Sequence, residues 1–298
     1  MKYINTVFLV LLMIVILMMF SRYVLKSGLS KYHEGFTQNE RYISKSNCDI
    51  YDDFYVSIYD NLNETESRVL YDYKNIIKTI QFDKKDKVLD IGSGSGHFLN
   101  LLENQNVDGI GLEKSKAMIE HSTKLYPNIY VIQGDAYDAK TFDHSTFSNI
   151  CLFHFTFYEF DNKKSLIRNC FHWLRNNGHL IVHLVNKKEY NPLVSAANPF
   201  SNTNFQKYTK ERVKKARIDF HDFEYLEQID FKNDNRVLIK ETFTDALTQN
   251  VRENENTLFM DSLQDNLQVF LQNGFIVKGQ FSYKNDENQF IYIFEKTG

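Results

Sequence analysis

Val88 to Phe98 reads VLDIGSGSGHF, an apolar run that ends in Asp90 and is followed by glycine at every second position. Few folds accommodate that pattern. The apolar run has the length of a buried strand. The glycines directly after it let the backbone approach a ligand closely and open a helix whose first amide groups can donate to it. In the dinucleotide fingerprint G-x-G-x-x-G the third glycine falls where this chain has His97, so the spacing favours a different ligand.

The surrounding sequence alternates strand and helix. KVLDI, VDGIGL, IYVIQ, NICLFHF and HLIVHLV read as strands, separated by a helix from Gly96 and by the helical stretches SKAMIEHSTKLY and KSLIRNCFHWLR. Continuous apolar strands alternating with helices predict an α/β fold, a Rossmann-like, doubly wound and mostly parallel sheet covered on both faces. Asn162 is placed to cap KSLIRNCFHWLR. Upstream, DIYDDFYVSIYDNL and ESRVLYDYKNIIKTI carry aromatic and aliphatic residues at helical spacing. Beyond Asn186 the period changes to two in FEYLEQIDF, NRVLIKETFTDAL and RENENTLFM, which predicts an antiparallel β insert over about 187–260. A helix in DSLQDNLQVFLQNGF and the strands FIVKGQFSY and QFIYIFEK close the chain.

With 298 residues, 43% of them hydrophobic, the chain can bury a large core, and its formal charge of −3 disfavours a nucleic-acid partner. Cys48, Cys151 and Cys170 are unclustered, so neither a disulfide framework nor a metal site is expected. Val7 to Phe20 contains no polar residue, and with its flanks Tyr3 to Leu25 could cross a hydrocarbon core of ~30 Å as a helix. The sequence therefore predicts a transmembrane anchor at 1–26, a polar tether at 27–47 and a catalytic domain at 48–298. Lys2 before the helix against Arg22, Lys26 and Lys31 after it predicts a single-pass membrane protein with a cytoplasmic domain, whose partner is the membrane.

These motifs resemble the class I S-adenosylmethionine-dependent methyltransferases, of the type 11 or type 25 kind, over about Tyr55 to Asn186 and Asp261 to Lys296. A looser similarity extends to uncharacterised methyltransferase-like proteins of large DNA viruses and marine microbes. The resemblance implies S-adenosylmethionine as cofactor, with Asp90, Gly92, Ser93, Gly94 and Gly96 as the first motif. It further implies Glu113 on the ribose hydroxyls beside Lys114, Met118 against the adenine, and Asp135 within Gly134 to Ala136 on the adenine amino group. Tyr55 and Tyr59, from the helix that closes over the cofactor in many relatives, and Phe153 at the end of the fourth strand complete the implied set.

Methyl transfer from a sulfonium is an in-line displacement in which the protein aligns a nucleophile and, where needed, takes a proton. Residues at the carboxyl ends of strands four and five face the acceptor in this family, which implies His154, Tyr158 and His183 as catalytic residues, with Phe155 and Thr156 nearby. No N-P-P-Y loop, Pro-Cys pair or paired-glutamate hairpin is present, which disfavours DNA and arginine substrates. Asn198, Pro199 and the insert are expected to complete the pocket. The basic run Lys207 to Arg217 reads as a helix, either solvated or facing anionic lipid. The expected activity is methyl transfer to a small-molecule, lipid or other amphiphilic acceptor near a membrane. The alternatives are an NAD(P)-dependent oxidoreductase and a non-catalytic cofactor-binding adaptor.

Overall fold

The computed structural model describes residues 38–197, 204–232 and 234–298, together with Leu12, Met13 and Leu17. In chain order the strands are β1 (Tyr42–Ser46), β2 (Lys87–Ile91), β3 (Asp108–Glu113), β4 (Tyr130–Gln133), β5 (Phe147–Leu152), β6 (Leu174–Val185), β7 (Lys215–Asp219), β8 (Phe223–Phe231), β9 (Arg236–Asp245), β10 (Val251–Phe259), β11 (Phe275–Ser282) and β12 (Gln289–Lys296). The helices of the described residues, beyond short 3-10 turns, are α1 (Asp53–Asn63), α2 (Thr65–Ile76), α3 (His97–Asn104), α4 (Lys116–Leu125), α5 (Lys163–Trp173) and α6 (Leu263–Gln272).

Seven strands form the main sheet in the order β11-β12-β6-β5-β2-β3-β4. Neighbours from β6 to β4 run parallel, and β12 enters antiparallel between β6 and β11. Period-two alternation explains why these strands read as unbroken apolar runs. Leu89, Ile150, Leu180, Val182 and Phe294 point to one face, under α5 and α6. Val88, Cys151, Ile181, Ile291 and Ile293 point to the other, under α2 and α3. Each fully buried aliphatic side chain contributes about 1.5–3 kcal/mol of transfer free energy. Helix α5 fits this scheme: Leu166, Ile167, Cys170 and Trp173 form its buried stripe, and the Asn162 side chain caps its start by accepting from Ser165 N at 3.1 Å.

From β2 the chain winds one way through β3 and β4, then reverses through β5 and β6. A crevice therefore opens where the carboxyl ends of β2 and β5 part, the position at which doubly wound sheets bind ligands. A second, five-stranded sheet in the order β1-β10-β9-β8-β7 covers that end. It joins α1 through a cluster of Ile50, Tyr55, Leu62, Tyr225 and Phe243.

Three expectations are corrected. The single-pass membrane location is overturned: among the described residues no helix is long and apolar enough to cross a membrane. Apart from Leu12, Met13 and Leu17, the apolar stretch itself lies outside the described residues. Part of the expected tether, Tyr42–Ser46, is strand β1, paired in parallel with β10; five residues of YISKS are too few to show a period in sequence. The basic run Lys207 to Arg217 is not a helix, since it ends a 3-10 turn (Phe205–Tyr208) and begins β7. Arg212 explains why. Its guanidinium lies 4.9 Å and 4.5 Å from the ring centroids of Tyr190 and Phe231 and donates to the carbonyls of Tyr190 and Lys187, which anchors the run between the turn and β7.

Candidate active site

The glycine loop lies in the crevice. Gly92 has φ +69°, and an added Cβ would come within 2.7 Å of Thr156 Cγ2, so only glycine lets the loop pass the turn after β5. Gly94, at φ +51°, differs in that an added Cβ would meet nothing closer than 4.0 Å and would project into open space. That space is a cleft of about 80 Å³ walled by Gly92, Gly94, Leu112, Glu113, Lys114, Met118, Gly134, Asp135, Ala136, Thr156, Glu159, Phe160 and the rings of Tyr51 and Tyr59, among others.

Glu113 ends β3 and is oriented entirely by backbone. Its Oε1 accepts from the amides of Lys114 (2.8 Å) and Ser115 (2.9 Å), and its Oε2 from that of Gly94 (3.0 Å). Burial raises its pKa, and these three amide bonds oppose the rise. Lys114 Nζ sits 2.9 Å from Asp135 Oδ2 across the cleft wall. Three expected residues lie behind the cleft wall rather than in it. Asp90 is buried under the loop, where burial first and Glu113 second push its carboxyl well up. Ser93 points at β3, its hydroxyl where a Cβ on Gly111 would be only 2.6 Å away. Gly96 is the left-handed N-cap of α3. Phe153 lies outside the cleft too, packed on Phe98 with ring centroids 4.6 Å apart.

Helix α1 is fastened over the loop by its own carboxylate. Asp60 accepts from Ser95 Oγ at 2.6 Å and lies 2.9 Å from His97 Nε2, whose Nδ1 is 2.7 Å from the Tyr126 hydroxyl. Burial pushes the Asp60 carboxyl up, but His97 and Ser95 outweigh it and the net shift is downward. The residue that spoils the dinucleotide fingerprint is thus the latch for α1. Tyr51, Tyr55 and Tyr59 pack edge to face at 5.7–6.1 Å on the cleft side of that helix.

Beyond these rings lies a larger cavity of about 380 Å³, which shares Tyr51, Tyr59, Thr156 and Glu159 with the cleft. His154 stands in its wall at φ +48°, with Nδ1 3.4 Å from the Tyr59 hydroxyl. Burial, then Arg68 and His183, keep its imidazole neutral at physiological pH. Glu159 meets both spaces; the protein mass around it and the neighbouring Glu113 raise it to about 7, although it keeps solvent access and accepts from Tyr51 at 3.0 Å. Tyr158 and His183 do not line the cavity. The Tyr158 hydroxyl accepts from Val185 N at 2.8 Å. His183 is buried, lowered to about 4 chiefly by burial, and bonds the His154 carbonyl through Nδ1 and faces Gln289 through Nε2. Tyr55 lines the larger cavity, where its hydroxyl donates to Glu241 at 2.9 Å. Asn198 and Pro199 lie outside the described residues.

Residues 66–231 match the model of a family described as a methyltransferase domain, more than half of the chain. The chain belongs to that family. Over 114 residues, 36% of this chain and 43% of the relative, it is 32% identical to an uncharacterised methyltransferase of Schizosaccharomyces pombe. The chain spans only 32% to 43% of the length of the curated relatives it matches. The structure of the CcbJ methyltransferase from Streptomyces caelestis matches 85% of this chain and 100% of its own, with a TM-score of 0.64 at 12% identity. An S-adenosylmethionine-dependent methyltransferase from Clostridium acetobutylicum matches 82% of this chain and 98% of its own, with a TM-score of 0.60 at 12% identity. At such identities the likeness is one of fold.

The chain thus carries a methyltransferase domain on a Rossmann-like fold, and the Clostridium structure of the same fold is described as dependent on S-adenosylmethionine. The cleft fits that group chemically: a fixed carboxylate at Glu113, a second at Asp135, an apolar wall of Leu112, Met118 and Ala136, and an open side at Gly94 where a Cβ would intrude. Among the described residues no group of three or more His, Cys, Asp or Glu is placed to hold a metal ion.

Among the residues of the larger cavity that sequence reasoning missed are Arg68, Glu227, Glu241 and Asp286. For two of them a signal existed. In FEYLEQIDF, Glu227 falls in phase with buried Tyr225 and Ile229, and in RVLIKETF, Glu241 falls in phase with Val237 and Phe243. An acid on the apolar phase of each of two adjoining strands is a departure that burial alone does not explain.

Proposed function

We propose that this protein transfers a methyl group to a small-molecule acceptor held in the larger cavity. The observation that carries the proposal is the wall of Tyr51, Tyr59, Thr156 and Glu159 common to that cavity and the cofactor cleft, which puts an acceptor next to whatever the cleft holds. When bound, S-adenosylmethionine supplies a methyl group activated by its sulfonium, and the reaction then needs only an aligned lone pair. Glu113 would take the ribose hydroxyls, Asp135 with Lys114 the adenine amino edge, and Met118 the adenine face. Tyr59 covers the open side, while His154 and Glu159 border the acceptor space and can accept the proton the nucleophile gives up. Tyr158 and His183 act as positioning residues: one fixes the end of β6, the other the His154 backbone. A small polar acceptor is favoured over a lipid because the cavity wall carries Asn191, Glu227, Glu241, Asn256 and Asp286.

Calorimetric titration with S-adenosylmethionine, S-adenosylhomocysteine and NADH tests the reading. The sulfonium pair is expected to bind, weakened at least about tenfold in Glu113→Ala, which is some 1.4 kcal/mol. Binding of NADH in their place would hand the site to an oxidoreductase. Release of S-adenosylhomocysteine with pooled small molecules separates an enzyme from an adaptor.

A further inference from the structure

Glu227 on β8 and Glu241 on β9 stand directly opposite each other, in register, on the buried face of the covering sheet. They are 1% and 5% exposed, and both line the larger cavity. Like charges facing across a strand pair destabilise a sheet, and burying carboxylates without a cation costs more still.

The two acids are not equally provided for. Glu241 accepts from the hydroxyls of Tyr55 and Tyr225, each at 2.9 Å, and from Asn254 Nδ2 at 3.2 Å. Glu227 accepts from the Val194 amide at 3.1 Å, and among the described residues no other donor reaches its carboxyl. Arg252 on β10 eases the Glu241 charge from a distance, but its hydrogen bonds go elsewhere: both Asp52 oxygens at 2.8–2.9 Å, the Ile50 carbonyl at 3.0 Å and Asn254 Oδ1 at 2.9 Å. Among the described residues neither carboxyl forms an ion pair. The groups facing Glu227 are Glu241 from β9, Tyr55 from α1, Tyr225 from its own strand and Tyr190 before the covering sheet, none of them a cation. Arg68 and Lys284, which also line the cavity, are not bonded to either acid.

We propose that Glu227, backed by Glu241, is the recognition site for a protonated amine on the acceptor, so that the substrate class is small amine-bearing molecules. An ammonium seated there supplies the cation Glu227 lacks and donates up to three hydrogen bonds, the charge-assisted kind that buried carboxylates bind most strongly. With the site empty, Glu227 keeps its proton. As the ammonium enters, the carboxyl ionises and that proton passes to the buffer. The amine is the handle by which the acceptor is held, and the inference rests on the acceptor cavity argued above.

The test uses the full chain saturated with S-adenosylhomocysteine, titrated with benzylamine and, in parallel, with benzyl alcohol of nearly equal size. Benzylamine is expected to bind at least about tenfold more tightly at pH 7, with close to one proton released as read from enthalpies in buffers of different ionisation heat. In Glu227→Gln, an isostere of the protonated acid, the preference and the proton release should vanish while S-adenosylhomocysteine affinity is kept. Equal binding of the two probes, or binding of neither, overturns the amine handle. Displacement of S-adenosylhomocysteine by benzylamine overturns it too, because the acids would then serve the cofactor. Failure of S-adenosylhomocysteine to bind in the first titration, with amine preference intact, would instead count against the cofactor assignment alone.

Discussion

Glu227→Gln should make the protein more stable at alkaline pH and leave it unchanged in acid. Burial first, and Glu241 in addition, raise the Glu227 carboxyl to about 8 from an ordinary 4.5, and the Val194 amide offsets only part of this. A raised carboxyl holds its proton more tightly in the folded than in the unfolded chain. Its contribution to stability is therefore complete below about 4.5 and is lost as pH climbs through about 8. Between those limits the folded protein binds one proton more at this site, and each pH unit removes about 1.4 kcal/mol. Over the whole interval the loss is about 5 kcal/mol, an upper figure because Glu241 shares the titration. Glutamine keeps the neutral shape and can accept from Val194, so the variant escapes this loss. Urea unfolding of both proteins at pH 4, 7 and 9, without ligand, should give almost no difference at pH 4 and an advantage of a few kcal/mol to the variant at pH 9. A difference that stays constant with pH, or that favours the natural chain at pH 9, would refute the reasoning.

Gly92→Ala places a methyl 2.7 Å from Thr156 at φ +69° and should cost on the order of 1–3 kcal/mol, read by thermal melting, with weakened S-adenosylmethionine binding. Asp60→Asn removes the charge that ties α1 to Ser95 and His97, so faster protease cleavage within 53–63 is expected above about pH 4; the lowered Asp60 carboxyl means natural stability there fades only as pH falls through its folded pKa. Ile181→Ala, in a strand buried on both faces, should cost about 2–5 kcal/mol by urea unfolding. Glu159→Gln leaves a hydroxyl-bonding partner for Tyr51 but no base; a fall in kcat whose loss is steepest above about pH 7, with S-adenosylhomocysteine affinity kept, would assign Glu159 the proton.

Much of the architecture was legible because local pattern and tertiary placement coincide there. Strands such as Val88 to Ile91 must be unbroken apolar runs when both faces are covered, and the glycines after them need left-handed backbone that only glycine adopts freely, so both leave marks in sequence. The cap at Asn162 is equally local. Other features leave no such mark. Tyr42–Ser46 became a strand because β10 offered a free edge more than two hundred residues away, and the run from Lys207 to Arg217 is anchored between a turn and β7 where Arg212 meets two aromatic rings. The place of β12 between β6 and β11, and the stacking of the second sheet on α1, are likewise written in no single strand.

By itself, then, the sequence determined the sheet, its glycine loop and the cofactor chemistry they admit, because those depend on backbone freedom and burial written residue by residue. Only the tertiary structure decided which side chains line the larger cavity. His183 was turned into the core by its phase in β6 and Tyr158 by the turn after β5, while Glu227 and Glu241 were brought side by side by the pairing of β8 with β9. Contacts of that kind depend on which strands meet and in what register, a property that no single strand carries in its own residues.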